Sequence, residues 1–234
     1  MPAYLAERAG DRIAPIGDLG NVNLEALIEL QPDLILTGQD RPEAIELLRS
    51  IAPTVVTFKW GTPWKQTLQD VAAVLGREKQ AQAFMQRYDA RVAEARQSLE
   101  GHQGDTLSIV RWNPKGPAYM HRDAFASRVA LELGLHRPSY QQEPGFTHSL
   151  SLSLESLELL DANWLVIGTL SPSGEAVDAM RQARQTPAFA RLSAVRNDHY
   201  ATVDGSLWTS VGGPLAAMQI IDDIVALIRS GREA

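Results

Sequence analysis

Residues 23–38, NLEALIELQPDLILTG, read as a helix that stops and becomes a strand. Leu24, Leu27, Ile28 and Leu30 recur at three- and four-residue steps, the spacing of one helix face, and Pro32-Asp33 then gives way to the short apolar run LILTG. Residues 153–168, SLESLELLDANWLVIG, repeat the statement without a gap. Leu24 falls on Leu154, Glu25 on Glu155, Leu27 on Leu157, Leu30 on Leu160, Asp33 on Asn163 and Gly38 on Gly168. The leucines need only be core residues, and a carboxylate in a first helical turn is favoured by the helix dipole alone. The duplicated position is what points to two related units.

Outward from the first copy the alternation continues. PEAIELLRSIAPTVVTF begins with Pro42 at a first helical position and ends in the β-branched run from Thr54 to Phe58. Helices alternating with short buried strands predict a mainly parallel sheet covered on its faces. From Trp64 to Leu99 there is no strand signal and one helix breaker, Gly76, so two consecutive helices are expected. In the second, Ala81, Phe84, Tyr88, Val92, Ala95 and Leu99 form an apolar stripe, while Arg87, Arg91 and Arg96 are read as a solvated face. At 1.5 Å per residue, roughly 20 residues make a rod of about 30 Å, long enough to join two lobes. The α/β pattern then resumes with TLSIVRW, AFASRVALELG, the second copy, EAVDAMRQARQT, HYATVDG and a last helix from Gly213 to Arg229. The division expected is a first lobe over 1–76, a connecting helix over 77–101 and a second lobe over 102–234.

The 234 residues are 44% hydrophobic and 21% charged, ordinary values for a folded chain. A formal net charge of −6 with no Lys/Arg run argues against nucleic acid. No apolar run approaches a membrane span, and MPAYLAERAG lacks the basic-then-apolar pattern of a secretory signal. The chain holds no cysteine, which removes thiolate metal sites and Cys nucleophiles. His102, His121, His136, His148 and His199 have no close metal spacing, and neither a nucleophile elbow nor a phosphate-binding glycine loop is present. Asp222-Asp223 point in different directions on a helix and read as solvated charge or a cap. No catalytic constellation or resident metal is expected, and the chain reads as a binding protein, not an enzyme.

In this order, NLEALIELQPDLILTG, VLGREKQAQAFMQRYDARVAEAR, SIVRWNPKGPAYMHRDAFASRVALELGLHRP, SLSLESLELLDANWLVIG and DGSLWTSVGGPLAAMQIIDDI resemble the substrate-binding proteins of ABC importers for ferric siderophores, with haem and cobalamin binders as relatives. The resemblance covers nearly the whole chain. It implies two Rossmann-like α/β lobes joined by one long helix, a ligand cleft between them, and a location in the periplasm or, by lipid anchor, on the outer face of the cytoplasmic membrane. It also implies one glutamate on each lobe docking on a permease dimer, and Glu25 and Glu155 fall on those motifs. Family members carry a signal peptide and a strand, helix and strand ahead of the equivalent of AGDRIAPIGDLGNVNLEAL, which are absent here. A first lobe without them is expected to expose a strand edge and to self-associate.

A ferric siderophore brings its own oxygen ligands for iron, so the expected lining is cationic and aromatic, with no intrinsic cofactor. Arg111, with Trp112 at the end of SIVRW, is the first candidate, because ligands meet α/β sheets at strand ends. Tyr119 matches a cleft position of the family, and His121 and Arg122 follow it. Trp60, Trp64 and Arg41 are candidates on first-lobe loops, and Trp208 in DGSLWTS is expected to supply the opposite wall. Trp164, inside a strand, is read as core. Haem in the same cleft would instead take an axial ligand from Tyr119, His121 or His148.

Overall fold

The structure, a computed structural model, describes residues 3–10, 13–18, 21–38, 41–210 and 212–231. Met1 and Pro2 of MPAYLAERAG, Asp11, Arg12, Leu19 and Gly20 of AGDRIAPIGDLGNVNLEAL, and Val211 of DGSLWTSVGGPLAAMQIIDDI lie outside them. The chain divides into two compact units, Met1–Gln82 and Ala83–Ala234.

The first unit opens with α1 (Ala3–Ala9) and a short antiparallel hairpin of β1 (Gly17–Asp18) and β2 (Asn21–Val22). Asn23 starts α2 (Leu24–Glu29), its side-chain oxygen accepting the Ala26 N–H at 3.1 Å and so satisfying one amide that a helix start leaves open. There follow β3 (Ile35–Thr37), α3 (Pro42–Arg49) and β4 (Thr54–Val56). β3 and β4 pair in parallel, Ile35 opposite Thr54, which requires the crossover that α3 provides. Leu27, Ile35, Leu48 and Ala52 form the core under this crossover, with Ile16, Leu24 and Ile51 at its margin. α4 (Trp64–Leu75) ends at Gly76, whose φ of 61° is the left-handed cap that glycine adopts without a Cβ penalty.

The next helix, α5 (Glu78–Ser98), runs across the boundary between the units, and most of it packs within the second. Tyr88, Ala95 and Leu99 are fully buried. Burial, and then the Glu132 carboxylate, raise the Tyr88 phenol far above its ordinary range. Arg91 departs from the solvated face expected of it: it pairs with Asp222 at 2.7 Å, on the last helix.

The second unit is built on a four-stranded sheet in the order β6-β5-β7-β8, formed by β5 (Leu107–Asn113), β6 (Gly116–Tyr119), β7 (Trp164–Thr169) and β8 (Tyr200–Asp204). β5, β7 and β8 are parallel, and β6 returns antiparallel to β5 through a hairpin that the sequence reading lacked. One face of the sheet carries Val110, Trp112, Leu165 and Ile167 against Leu157, Leu160, Phe189 and α7 (Glu175–Ala183). α6 (Phe125–Glu132) also packs on β5, and is joined by the last helix, which buries Ile220, Ile221, Ile224 and Ile228. Three short helices, α8 (Pro187–Ala190), α9 (Ser193–Arg196) and α10 (Gly205–Trp208), precede that helix, α11 (Pro214–Ser230).

The second copy of the duplicated motif does not fold as the first. Leu154–Leu160 is a 3-10 segment broken at Ser156 (φ −104°, ψ 22°), where an α-helix was expected. Side chains from the turn Ser139–Gln141 take its terminal carbonyls: Gln141 Nε2 donates to Leu159 O at 2.8 Å, and Tyr140 Oη donates to Glu158 O at 3.3 Å and to Asp161 O. Those tertiary bonds replace the i→i−4 ladder that would close an α-helix.

Candidate functional site

Because β5, β7 and β8 are parallel, their carboxyl ends share one edge of the sheet, the edge at which α/β sheets take ligands. Arg111 stands two residues before the end of β5, in register with Ala118 and Gly168, so all three share a face. A Cβ on Gly168 would lie 2.7 Å from the Gly205 Cα, so glycine at both positions lets α10 press directly on β7. That contact delivers Thr209 to Arg111. Nε of Arg111 donates to Thr209 Oγ1 at 3.1 Å and Nη2 donates to the Thr209 carbonyl. Burial lowers the Arg111 pKa, and no described carboxylate pairs with it. The result is a half-buried guanidinium oriented by neutral oxygens, with its positive charge left for an anion.

The same edge holds residues that the sequence reading passed over. Lys115, exposed, sits in the β5–β6 hairpin, and Leu170, half exposed, follows β7. The available signal was the NPKG turn between two apolar runs, a hairpin pattern.

Tyr119 is not brought to Arg111. It pairs with Val110, which places it on the opposite face, packed against the apolar cluster there. His121 and Arg122 follow as the chain runs back toward the amino end of β5, where the Met120 N–H meets the Ile109 carbonyl. The His121 ring lies 5.9 Å from that of Tyr119, and its buried Nε2 has no partner among the described residues. Arg122 is exposed and paired with Asp123 at 3.4 Å. Burial works against ionisation of Asp123, but hydrogen bonds from Arg122 and the Gly145 N–H, with the charges of Arg122 and Arg128, hold its carboxyl below the ordinary range. Arg122 thus already has a carboxylate partner. His148 Nδ1 lies 2.8 Å from the Ser149 carbonyl, and no cluster of three metal-binding side chains occurs among the described residues.

Trp208 is a correction. It is 0% exposed, so it supplies no wall to any ligand site. The DGSLWTS segment is the helical turn α10, with the Asp204 side chain accepting the Ser206 N–H, and it turns Trp208 inward, where Nε1 donates to Asp223 on α11 at 2.8 Å. Asp223 is therefore the anchor of a buried indole, while Asp222 holds Arg91. Trp112 is likewise core, as Trp164 was expected to be.

In the first unit Trp60 is 61% exposed, standing edge-on to Phe58 at 6.4 Å. Trp64 is half-buried at the start of α4, with the Lys65 ammonium 5.7 Å from its ring. Arg41 is exposed at the N-cap of α3, where its side chain makes no capping bond. Glu25 and Glu155 are both exposed, each in the first turn of its segment.

The Glu155 segment is tied through Gln141 to a buried residue that carries no signal in the sequence. Arg137 is 5% exposed and has no carboxylate partner among the described residues. Its guanidinium donates to the carbonyls of Leu107, Ile109 and Met120 and to Gln141 Oε1, and burial pulls its pKa down. Gln141 in turn holds Leu159, so one polar cluster ties β5, the end of β6 and the Glu155 segment together.

Residues 3–207 match the family described as periplasmic binding protein. The probable siderophore-binding lipoprotein YfiY of Bacillus subtilis is 31% identical over 86% of this chain and 65% of its own length. The chain thus spans about two thirds of the length of the curated relatives it matches. The fold is that of Staphylococcus aureus SirA complexed with staphyloferrin B (TM-score 0.80, 22% identity, covering 97% of this chain and 81% of SirA). It is also that of the triscatecholate siderophore binding protein FeuA of Bacillus subtilis complexed with ferri-bacillibactin (TM-score 0.80, 19% identity, covering 100% and 83%).

Proposed function

Because this chain belongs to the periplasmic binding protein family, we propose that it captures a ferric siderophore outside the cytoplasmic membrane and hands it to the permease of an ABC importer. The observation that carries the reading is Arg111, a half-buried cation at the carboxyl edge of a parallel sheet, oriented by Thr209 and neutralised by no described carboxylate. A ferric chelate with unspent negative charge is the ligand that such a group suits. The names of the relatives support the same class: YfiY is called a probable siderophore-binding lipoprotein, and SirA and FeuA are complexed with siderophores. Lipoprotein and periplasmic relatives support an extracytoplasmic place, and no described helix is long and apolar enough to cross a membrane.

Arg111 is the principal ligand residue of this reading; Tyr119, on the opposite face of the sheet, and Arg122, paired with Asp123, are given no part in the site around it. Trp60, Trp64 and Arg41 are proposed for the first unit on the strength of their positions on loops and helix starts. Glu25 and Glu155 are the proposed handles for two subunits of the permease, and the two compact units are the proposed lobes. β3 has β4 on one side and no described strand on the other, which supports pairing of two chains through that edge; a monomer mass by light scattering excludes it.

The test is calorimetric titration with ferric citrate, a ferric hydroxamate, a ferric tricatecholate, haem and cobalamin. Saturable binding of one ferric chelate, lost in Arg111→Ala, supports the reading. Binding of haem with a sharp visible band, or of cobalamin, transfers the function to those ligands. Silence from all five overturns ligand capture.

A further inference from the structure

Thr209 occupies one edge of the Arg111 guanidinium and leaves the other open. Nε and Nη2 carry the parallel N–H groups of the side-on edge, and Thr209 fills that edge with Oγ1 at 3.1 Å and with its own carbonyl. The Thr209 hydroxyl proton is already given to the Gly205 carbonyl at 2.6 Å, so Oγ1 faces Arg111 as an acceptor only. Thr209 is 2% exposed, which closes that edge to solvent. The guanidinium thus holds two oxygens as it would hold those of a carboxylate, but without their charge. What remains is the end-on edge, Nη1 with the outer N–H of Nη2, again a parallel pair, and no described residue engages it.

The surroundings of that edge on the sheet are small and uncharged. Arg111 lies opposite Ala118 and Gly168, and Asn113, the last residue of β5, falls on the same face about 7 Å further along the strand. Asn113 is half-buried, and its amide makes no hydrogen bond with any described residue. Trp112 and Tyr119 belong to the opposite face, so no aromatic side chain of the sheet stands at this end of the Arg111 face.

We infer that Arg111 and Asn113 select ferric chelates that carry a carboxylate free of the iron, over chelates whose donors are all hydroxamate or all catecholate. This rests on the ferric-chelate reading proposed above. A carboxylate off the metal has two oxygens in the plane and spacing of the end-on fork, and a full charge to meet the one that Thr209 leaves unneutralised. A trihydroxamate complex of ferric iron is electroneutral and gives a half-buried cation nothing to neutralise. A tricatecholate complex is anionic, but iron holds all of its phenolate oxygens, and its flat rings find no aromatic partner at this end of the sheet. The Asn113 amide offers an uncharged N–H to the same arm of the ligand.

The experiment is calorimetry on the parent chain with ferric citrate, a ferric tricatecholate, and one linear ferric trihydroxamate in two forms, its tail ending in a carboxylate or in a carboxamide. The two forms present the same iron centre, so their difference reads the carboxylate alone. The better bound of ferric citrate and the carboxylate form is expected to bind at least about tenfold more tightly than the carboxamide form and the tricatecholate. Arg111→Ala is expected to erase the difference between the two forms. Asn113→Asp, which sets a like charge beside the carboxylate, is expected to weaken the carboxylate-bearing chelates about tenfold and the carboxamide form by less than about twofold. If the carboxamide form or the tricatecholate matches the better carboxylate probe on the parent chain, the carboxylate preference is overturned and capture of ferric chelates stands. If none of the probes binds, the ferric-chelate reading fails and the inference fails with it.

Discussion

Arg111 and Thr209 are joined twice, Nε to Oγ1 at 3.1 Å and Nη2 to the main-chain carbonyl, across 98 residues of sequence. The planar fork of a guanidinium can engage both acceptors and keep further N–H groups for a ligand, whereas an ammonium at the same place cannot. Arg111→Lys is expected to weaken ferric-chelate binding about tenfold, or about 1.4 kcal/mol, despite conserving charge. Thr209→Val, which leaves the carbonyl acceptor, is expected to cost less. Calorimetry on both variants checks the order, and equal affinities for Arg111→Lys and the parent would remove Arg111 from the site.

Gly168 and Gly38 end the two copies of the repeated motif, but they do not meet the same neighbours. A Cβ on Gly168 meets Gly205 backbone at 2.7 Å; one on Gly38 meets the Phe58 ring at 2.9 Å. Backbone cannot rotate aside, and a ring can. Gly168→Ala is expected to destabilise by about 1–3 kcal/mol, whereas Gly38→Ala costs less. Gly168→Ala should also weaken ligand binding, because α10 and Thr209 move with it. Urea unfolding alongside calorimetry tests both statements.

Trp208→Phe removes one ring of the buried indole and strands the Asp223 carboxylate, which then retains only Gln219 as a donor among the described residues. The expected cost is about 1–3 kcal/mol of stability, with ligand affinity unchanged. A variant that kept its stability but lost ligand would restore Trp208 to the binding site.

Arg137→Met leaves Gln141 and three carbonyls short of a donor, at an expected cost of about 1–3 kcal/mol. Combined with Gln141→Leu, the loss should be smaller than the two single losses together, since the two side chains share one network. Additive losses in urea would show that the cluster does not act as a unit.

Glu25→Ala with Glu155→Ala is expected to abolish uptake and leave affinity for the ferric chelate untouched, both side chains being exposed and neither taking part in the bonds that hold Arg111. Uptake assays on the double variant decide it, and parental uptake would end the docking assignment.

Much of this architecture can be read along the chain. The three- and four-residue steps through Leu24, Leu27 and Leu30, the β-branched run at Thr54, the Pro42 start and the Gly76 stop are local signals, and each lies where an element begins or ends. Whatever depended on a distant partner was not legible. The periodicity of SLESLELL is helical, but donors from Tyr140 and Gln141 pull that segment into a broken 3-10 form. A tryptophan between glycine and serine looks like a loop aromatic until Asp223, 15 residues later, is seen to hold it. Arg111 was legible because strand ends are local, and Arg137 was not, because all of its acceptors but Gln141 come from other elements.

Trp164 stands between two imidazoles. The His199 ring stacks on it at 4.1 Å, the His102 ring meets it edge-on at 5.6 Å, and its Nε1 donates to Asp105, which also holds His102 Nδ1. Trp164 is therefore clamped by its neighbours and reports on the packing of its own unit, while the exposed Trp60 senses solvent. The emission of this chain mixes the two, and Trp164→Phe is the form of the protein in which light from the clamped indole is removed and a ligand's effect on the exposed one is easier to see.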